Sequence, residues 1–211
     1  MTGNPTMKRL LCCALAAGWL AIAPSRAADL MPPDMLAKNV TDEVLAILRA
    51  DREIASGNQK KVADLIDAKV LPHFNFARMT QLAVGRNWRQ ASPEQQKALT
   101  AEFRVLLVRT YTAAFTAYRD QTISYKPVRL LPGDTDVVVK SQISQPGGQP
   151  VAVDYSMEKS ERGWKVYDVA IEGVSLVQNY RSTFAGEVQR GGIDGLIKTL
   201  SERNRQLAQR K

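Results

Sequence analysis

The sequence predicts an α+β fold, an antiparallel sheet wrapped by helices on its apolar face. Three observations predict it. Apolar residues recur at spacings of three and four between residue 34 and about residue 119, the period falls to two between 123 and 171, and the helical period returns after Gly173. The period-two segments are separated by Pro132-Gly133-Asp134, Pro146-Gly147-Gly148 and Glu161-Arg162-Gly163, turn signals whose short, even spacing favours hairpins over crossovers. No Gly/Ser/Pro linker or repeat interrupts residues 28–211, which therefore read as one domain.

The chain opens on an export signal. Met7-Lys8-Arg9 is followed by an apolar run from Leu10 to Ala23, then Pro24 and the small residues of Ser25-Arg26-Ala27, so residues 1–27 read as a cleaved signal peptide. The run is shorter than the roughly 20 residues that a spanning helix needs. Both cysteines, Cys12 and Cys13, lie inside it. The mature chain thus has no thiol for a disulfide, a thiolate metal site or a nucleophile.

Helices come first. Pro32-Pro33-Asp34 starts one over residues 34–55, with Leu36, Val40, Val44, Leu45 and Leu48 on one face and Gly57-Asn58 at its end. A shorter helix carries Val62, Leu65 and Ile66. Pro72 opens a third segment through Phe74, Phe76, Met79 and Leu82 to Gly85. Ser92-Pro93-Glu94-Gln95 combines an N-cap, a first-position proline and a capping-box glutamine, and starts a helix to about Arg119. Its stripe from Leu99 through Phe103, Leu106, Leu107, Tyr111 and Phe115 to Tyr118 covers near half the circumference, wider than one flat partner requires. The second partner is either another helix or a ligand.

Strands are expected at 123–130, 136–144, 150–158 and 163–171. In the third, Val151, Val153, Tyr155 and Met157 alternate with Ala152, Asp154, Ser156 and Glu158, giving one apolar and one wet face. Pro127 cannot donate to a ladder, which places the first strand at an edge. After Gly173 a helix carries Val174, Val177, Tyr180, Arg181 and Phe184. Gly191-Gly192 punctuates it, Ile193, Leu196, Ile197 and Leu200 form a last amphipathic stretch, and the polar tail from about residue 202 is expected to fray.

Charge excludes little and chemistry excludes more. The formal net charge is +8; without Lys8, Arg9 and Arg26 the mature chain has 26 basic against 21 acidic residues, or +5. That mild, dispersed excess does not make the concentrated basic face of a nucleic-acid binder. The single histidine, His73, follows Pro72 and reads as a surface or capping residue. With one histidine and no mature cysteine there is no zinc set, no serine triad elbow and no Gly-rich phosphate loop. The expected lists of catalytic and metal-binding residues are therefore empty. Asp154, Asp168 and Glu172 sit in or beside strands. Alternation puts Asp154 on the wet face; Asp168 or Glu172 either serves as a base or pairs with Arg181. Arg181, set among apolar residues, either completes that pair or clamps a phosphate.

The segment Trp164-Lys165-Val166-Tyr167-Asp168-Val169-Ala170-Ile171-Glu172-Gly173-Val174-Ser175-Leu176-Val177, followed by Asn179-Tyr180-Arg181-Ser182-Thr183-Phe184, resembles the signature of the MlaC family. These are toluene-tolerance-type periplasmic proteins. Pro72-His73-Phe74-Asn75-Phe76, Gly85 to Ser92 and Gly191 to Ile197 extend the resemblance, in order, over the mature chain. Asn75 stands where the family more often has aspartate. The resemblance implies a four- or five-stranded cup with a deep apolar pocket and bound phospholipid as cargo, with no other cofactor. It implies a carrier in the periplasm that works with an inner-membrane ABC lipid transporter and an outer-membrane lipoprotein/porin complex to maintain outer-membrane lipid asymmetry. A carrier that enters two docking sites is expected to be a monomer.

On this reading the pocket is lined by Phe74, Phe76, Met79, Leu82, Tyr111, Phe115, Tyr118, Val153, Tyr155, Val166, Val174, Val177, Tyr180 and Phe184. Two other classes stay open beside it: a small isomerase- or dehydratase-like enzyme on a similar cup, and a periplasmic chaperone or adaptor. A buried carboxylate in a small wet cavity marks the first; a filled interior without lipid marks the second.

Overall fold

The computed structural model describes residues 30–56, 58–116 and 121–209, without the side chains of 55 and 113–116. Helix α1 (Pro33–Ala50) begins with proline in its first turn, where the missing N–H costs nothing, and with Asp34 at its positive end. The helix expected over 34–55 divides at Asp51, whose extended backbone ends α1. The Asp51 carboxylate then accepts the N–H groups of Glu53 (2.8 Å) and Ile54 (3.2 Å) and caps the short α2 (Arg52–Ala55). Asn58 caps α3 (Gln59–Lys69) in the same way. A 3₁₀ turn over Leu71–His73 leads to α4 (Phe76–Val84), and Gly85, at φ +63°, stops it.

The capping box forms as the sequence predicts. Gln95 N–H donates to Ser92 Oγ (3.2 Å), and Ser92 N–H donates to Gln95 Oε1 (3.0 Å). It starts α5 (Pro93–Thr116); the expected continuation to Arg119 lies outside the described residues.

Among the described residues one antiparallel sheet has the order β1-β2-β3-β4-β5. Its strands are β1 (Thr122–Tyr125), β2 (Asp136–Ser144), β3 (Val151–Ser160), β4 (Gly163–Ile171) and β5 (Val174–Ser175). The first strand is an edge, as expected, but shorter than 123–130. Lys126 N–H still bonds the Lys140 carbonyl (2.9 Å), and the ladder ends there because Pro127 has no N–H. The two-residue β5 makes the sheet five-stranded, within the four or five strands expected, and folds back on Ala170 and Ile171 where a helix was expected to begin. Ser156 lies opposite Asp168 while Met157 lies opposite Val166, so Tyr167 is an extra residue in β4. This bulge lets Val166 and Val169, three apart, face the same side as the odd-numbered residues of β3.

Helix α6 (Leu176–Gln209) breaks at Gly192, whose φ of 67° departs from helical geometry at the expected glycine pair. Where a polar tail was expected from about residue 202, the chain is helical to Gln209. Asn204 is buried, and its Nδ2 donates to the Glu102 carbonyl (2.9 Å) and to Glu102 Oε2 (2.7 Å), fastening the last turns of α6 to α5.

Three apolar clusters result among the described residues. Phe103, fully buried in α5, meets Tyr180 and Phe184 of α6 edge-on, both at 5.1 Å between ring centres, and Leu99, Ala83 and Leu196 complete this core. In the second, Val44 and Leu48 of α1 pack with Ile54, Val62, Leu65 and Ile66 of α2 and α3; in the third, Val139, Met157, Trp164 and Val166 of the sheet are joined by Leu36 and Ala37 of α1. Asn75 caps α4 through Arg78 N–H (3.0 Å) and donates through Nδ2 to Glu158. Arg78 pairs with Glu158 and with Asp136 (2.9 Å) and lies 3.6 Å over the ring of Tyr167, the bulge residue. An aspartate at position 75 has no proton to offer Glu158; the asparagine here does.

Candidate functional site

Alternation and the bulge give the sheet a concave apolar face, and α1 crosses it without filling it. A cavity of about 540 Å³ remains between them. The sheet contributes Ile123, Tyr125, Ile143, Val151, Val153, Tyr155, Met157, Val166, Val169 and Ile171, and α1 contributes Leu36, Ala37, Val40, Thr41, Val44, Leu45 and Leu48. Ile66, the Val70–Phe74 turn, Phe76, Met79, Leu107, Val108 and Tyr111 close the side walls. One end is sealed: Met157, Trp164 and Val166 are buried there. At the other, Ile171 is 38% exposed and Gln145 is exposed, so the cavity reaches the surface at that rim, beside Thr112, Gln121 and Leu176.

Of the residues expected at the pocket, Phe74, Phe76, Met79, Tyr111, Val153, Tyr155 and Val166 lie on its wall. Leu82, Val177, Tyr180 and Phe184 lie in the α4–α5–α6 core instead. The reason is topological: after β5 the chain turns and α6 runs back along α5, so only its first residue, Leu176, reaches the cavity. Val174, the first residue of β5, is 60% exposed. The side chain of Phe115 and all of Tyr118 fall outside the described residues.

The stripe on α1 is the larger omission. Its three-and-four spacing was legible, but the same spacing describes a helix on a filled core.

The wall is nearly free of charge. Among the described residues no carboxylate, lysine or arginine lines it; the imidazole on it is His73, which burial and the nearby Lys165 push below the ordinary histidine value while Glu43 acts against them. His73 is half-buried, at the edge between the surface and the cavity. Burial and the neighbouring Tyr155 hold the Tyr125 hydroxyl far above the usual tyrosine range, and burial raises Tyr155 as well. An environment that disfavours charge and offers few polar partners suits hydrocarbon.

The candidate bases are occupied elsewhere. Asp168 accepts Ser175 Oγ and the N–H groups of Val169 (2.8 Å) and Val177 (3.1 Å), securing the start of α6. Glu172 accepts the Ala152 N–H, and Asp154 lies opposite Lys140. Neither Asp168 nor Glu172 pairs with Arg181. That arginine is exposed, reaches Gln178 Oε1 at 3.4 Å, and lies against Gly85, where a Cβ would come within 3.2 Å of its Nε. Among the described residues no group of histidine, cysteine, aspartate or glutamate is placed to hold a metal, and no helix is long and apolar enough to cross a membrane.

Comparison with known proteins places this geometry in a family. The family model described as MlaC protein matches residues 38–202. The intermembrane phospholipid transport system binding protein MlaC of Haemophilus influenzae is 23% identical over 173 residues, 81% of each chain. Toluene tolerance protein ttg2D of Pseudomonas putida is 26% identical over 182 residues, 86% of this chain and 84% of that one. A solved structure of a phospholipid-binding protein from Ralstonia solanacearum, in complex with a phospholipid, is 46% identical. It superposes with a TM-score of 0.78 and covers 84% of this chain and 99% of that one.

Proposed function

The chain belongs to the MlaC family, and we propose that it acts as a periplasmic carrier that takes phospholipid from one membrane to another with its acyl chains between α1 and the sheet. It is a phospholipid-binding protein of lipid transport. The single observation that carries the mechanism is the apolar cavity of about 540 Å³ between α1 and the sheet, on which no charged side chain stands among the described residues. Exposing acyl chains to water costs about 0.8 kcal/mol per methylene, so roughly 30 methylenes meet a gross barrier above about 20 kcal/mol. A cavity walled by aliphatic and aromatic side chains removes most of that barrier by exchanging one apolar medium for another. Affinity need not be extreme, and the predominance of apolar side chains on the wall makes recognition one of tails more than headgroups.

The finer assignments are part of the same proposal. Phe74, Phe76, Met79, Tyr111, Val153, Tyr155 and Val166, together with the α1 stripe, contact the chains. The carrier works as a monomer in the periplasm, between an inner-membrane ABC lipid transporter and an outer-membrane lipoprotein/porin complex, and helps keep the outer membrane asymmetric. The carboxylates that an enzyme would use are engaged at the start of α6 and the sheet end. The test is transfer of fluorescent phosphatidylethanolamine from donor to acceptor vesicles. The proposal requires purified protein to accelerate it and to carry extractable phospholipid; protein that does neither overturns it.

A further inference from the structure

Three exposed arginines stand near the cavity mouth with no carboxylate among the described residues to pair with. The sequence prepares this. No acidic residue occurs between Asp67 and Glu94, or between Glu172 and Glu187. The charges on α4, on the 3₁₀ turns over Gly85–Gln90 and on the first turns of α6 are therefore all positive. Lys69 pairs with Glu43, and Arg78 with Glu158 and Asp136. Arg86, Arg89 and Arg181 remain, each exposed and none in an ion pair among the described residues. The acids at the adjoining start of α5 are engaged otherwise: Glu94 accepts the Ser92 hydroxyl (2.8 Å) and Asp194 accepts from Gln95 Nε2 (2.8 Å).

The three are held in place. Residues three apart in a 3₁₀ helix eclipse, so Arg86 and Arg89 leave the same side of their segment. Trp88 between them packs on the filled core, and its carbonyl accepts Gln96 Nε2 of α5 (3.2 Å). Arg181 comes from α6, which packs on this segment. Its Nη1 reaches Gln178 Oε1 (3.4 Å), while its other edge faces Gly85, the residue before Arg86. A Cβ on Gly85 would stand 3.2 Å from Nε and 3.5 Å from Nη2, nearer than the 3.7 Å to Cζ. The two-donor edge of the guanidinium thus points into space that a side chain at 85 would fill. A carboxylate meets such an edge with both oxygens.

We infer that these arginines are the docking surface for a partner protein that presents carboxylates, one of them seated on Arg181 over Gly85, and that docking there brings the partner to the cavity mouth. The inference rests on the phospholipid-carrier reading, which requires hand-over at that mouth. Leu176 stands at the rim, and Arg181 follows five residues later, about 7.5 Å along α6. A guanidinium suits phosphate as well as carboxylate. What favours a protein over a bilayer is the company: Gln81, Gln90, Gln178, Asn179 and Ser182 are the exposed neighbours in these elements, hydrogen-bonding groups with no apolar chain to insert.

The experiment titrates the whole mature protein, isotope-labelled for NMR, with hexaglutamate and separately with mixed phosphatidylcholine and phosphatidylglycerol vesicles. Hexaglutamate should shift the amides of residues 85–90 and 178–182. Arg86→Gln/Arg89→Gln/Arg181→Gln should weaken it about tenfold, and Lys126→Gln/Arg129→Gln/Lys159→Gln, which removes as much charge elsewhere, by less than about twofold. Gly85→Ala, which fills the space and removes no charge, should weaken it too, and extractable phospholipid should be equal in all. Should the triple arginine variant not fold, Arg86→Gln/Arg89→Gln at exposed positions must give a smaller loss in the same direction. No binding by the wild type, or equal losses in the two triple variants, overturns the inference. So does arginine-dependent binding to the vesicles without binding to the peptide, which makes the occupant a membrane. A dimer in sedimentation that the substitutions abolish makes it a second copy, and phospholipid lost from the arginine variant alone makes the arginines part of the cargo site; either result overturns it. Wild-type protein without phospholipid counts against the carrier reading, while the peptide titration still decides the docking surface.

Discussion

Around Phe103, helices α4, α5 and α6 leave no space: Phe103, Leu99, Leu196 and Ala83 have no exposed surface, and two further rings close on Phe103 edge-on. Between α1 and the sheet, residues of the same kinds face each other across about 540 Å³. Val40, Leu45 and Ile143 are only half-buried, with cavity where a core would have another side chain. The difference lies in what stands opposite. Helices α5 and α6 run alongside each other and interlock, whereas α1 bridges a concave sheet and meets it mainly near its own first turns. One half of the molecule spends its apolar surface on stability and the other holds it for a ligand, and substitutions should separate the two.

The largest effect is expected in the filled half. Phe103→Ala leaves a cavity in an interlocked core and should cost about 3–5 kcal/mol, read as a fall in the urea midpoint. A cost near zero would mean that this core is as loose as the cavity. In the open half, Val40→Asp places a carboxylate on the α1 wall, where the space lets water reach it. Copurifying phospholipid should fall by about an order of magnitude, by mass spectrometry of solvent extracts, with stability changed by less than about 1 kcal/mol. Unchanged lipid would remove Val40 from the binding surface.

These two residues also mark what the sequence could and could not reveal. Local signals were readable because their partners are near in sequence: the Ser92–Gln95 box, the glycine turns, the break at Gly192 and the alternation of β3 all occur where expected. The site was half-legible. Seven of the expected lining residues are on the wall, yet Leu82, Val177, Tyr180 and Phe184 are core, and the α1 stripe, readable as an apolar face, carries no mark that it lines a pocket. Helical spacing says which face is apolar and nothing about whether the opposite surface touches it. The Tyr167 bulge was equally hidden, since it exists only in the register between β3 and β4. Asn204 looked like part of a polar tail because its partner, Glu102, is a hundred residues away in the chain.

A third substitution tests the junction between the halves. Arg78→Ala removes the pairs with Glu158 and Asp136 and the contact over Tyr167. It should cost about 1–2 kcal/mol, since the group is partly exposed and solvent screens it. If the sealed end depends on this clamp, lipid should also dissociate faster, measured by transfer to acceptor vesicles. Dissociation at the wild-type rate would assign the clamp to stability alone.

The smallest effect concerns His73, the titratable imidazole of the wall. Folding lowers its proton affinity, so below the ordinary value of 6.5 the unfolded chain binds more protons than the native one. Stability should therefore fall slightly as pH drops through that value and hold level above it. His73→Gln should lose this component of the urea-midpoint profile. An unchanged profile would mean that the imidazole is not desolvated by the wall.

The most direct test of where the cargo lies is a phospholipid carrying a diazirine along its acyl chain, bound to the protein, photolysed, and mapped by peptide mass spectrometry. The account predicts labels on α1 between Leu36 and Leu48 and on the inward residues of β1 to β4, Ile143 and Val153 among them, competed away by unlabelled phospholipid. Labels concentrated on the α5–α6 interface around Phe184, or spread over exposed surface and indifferent to competitor, would contradict it.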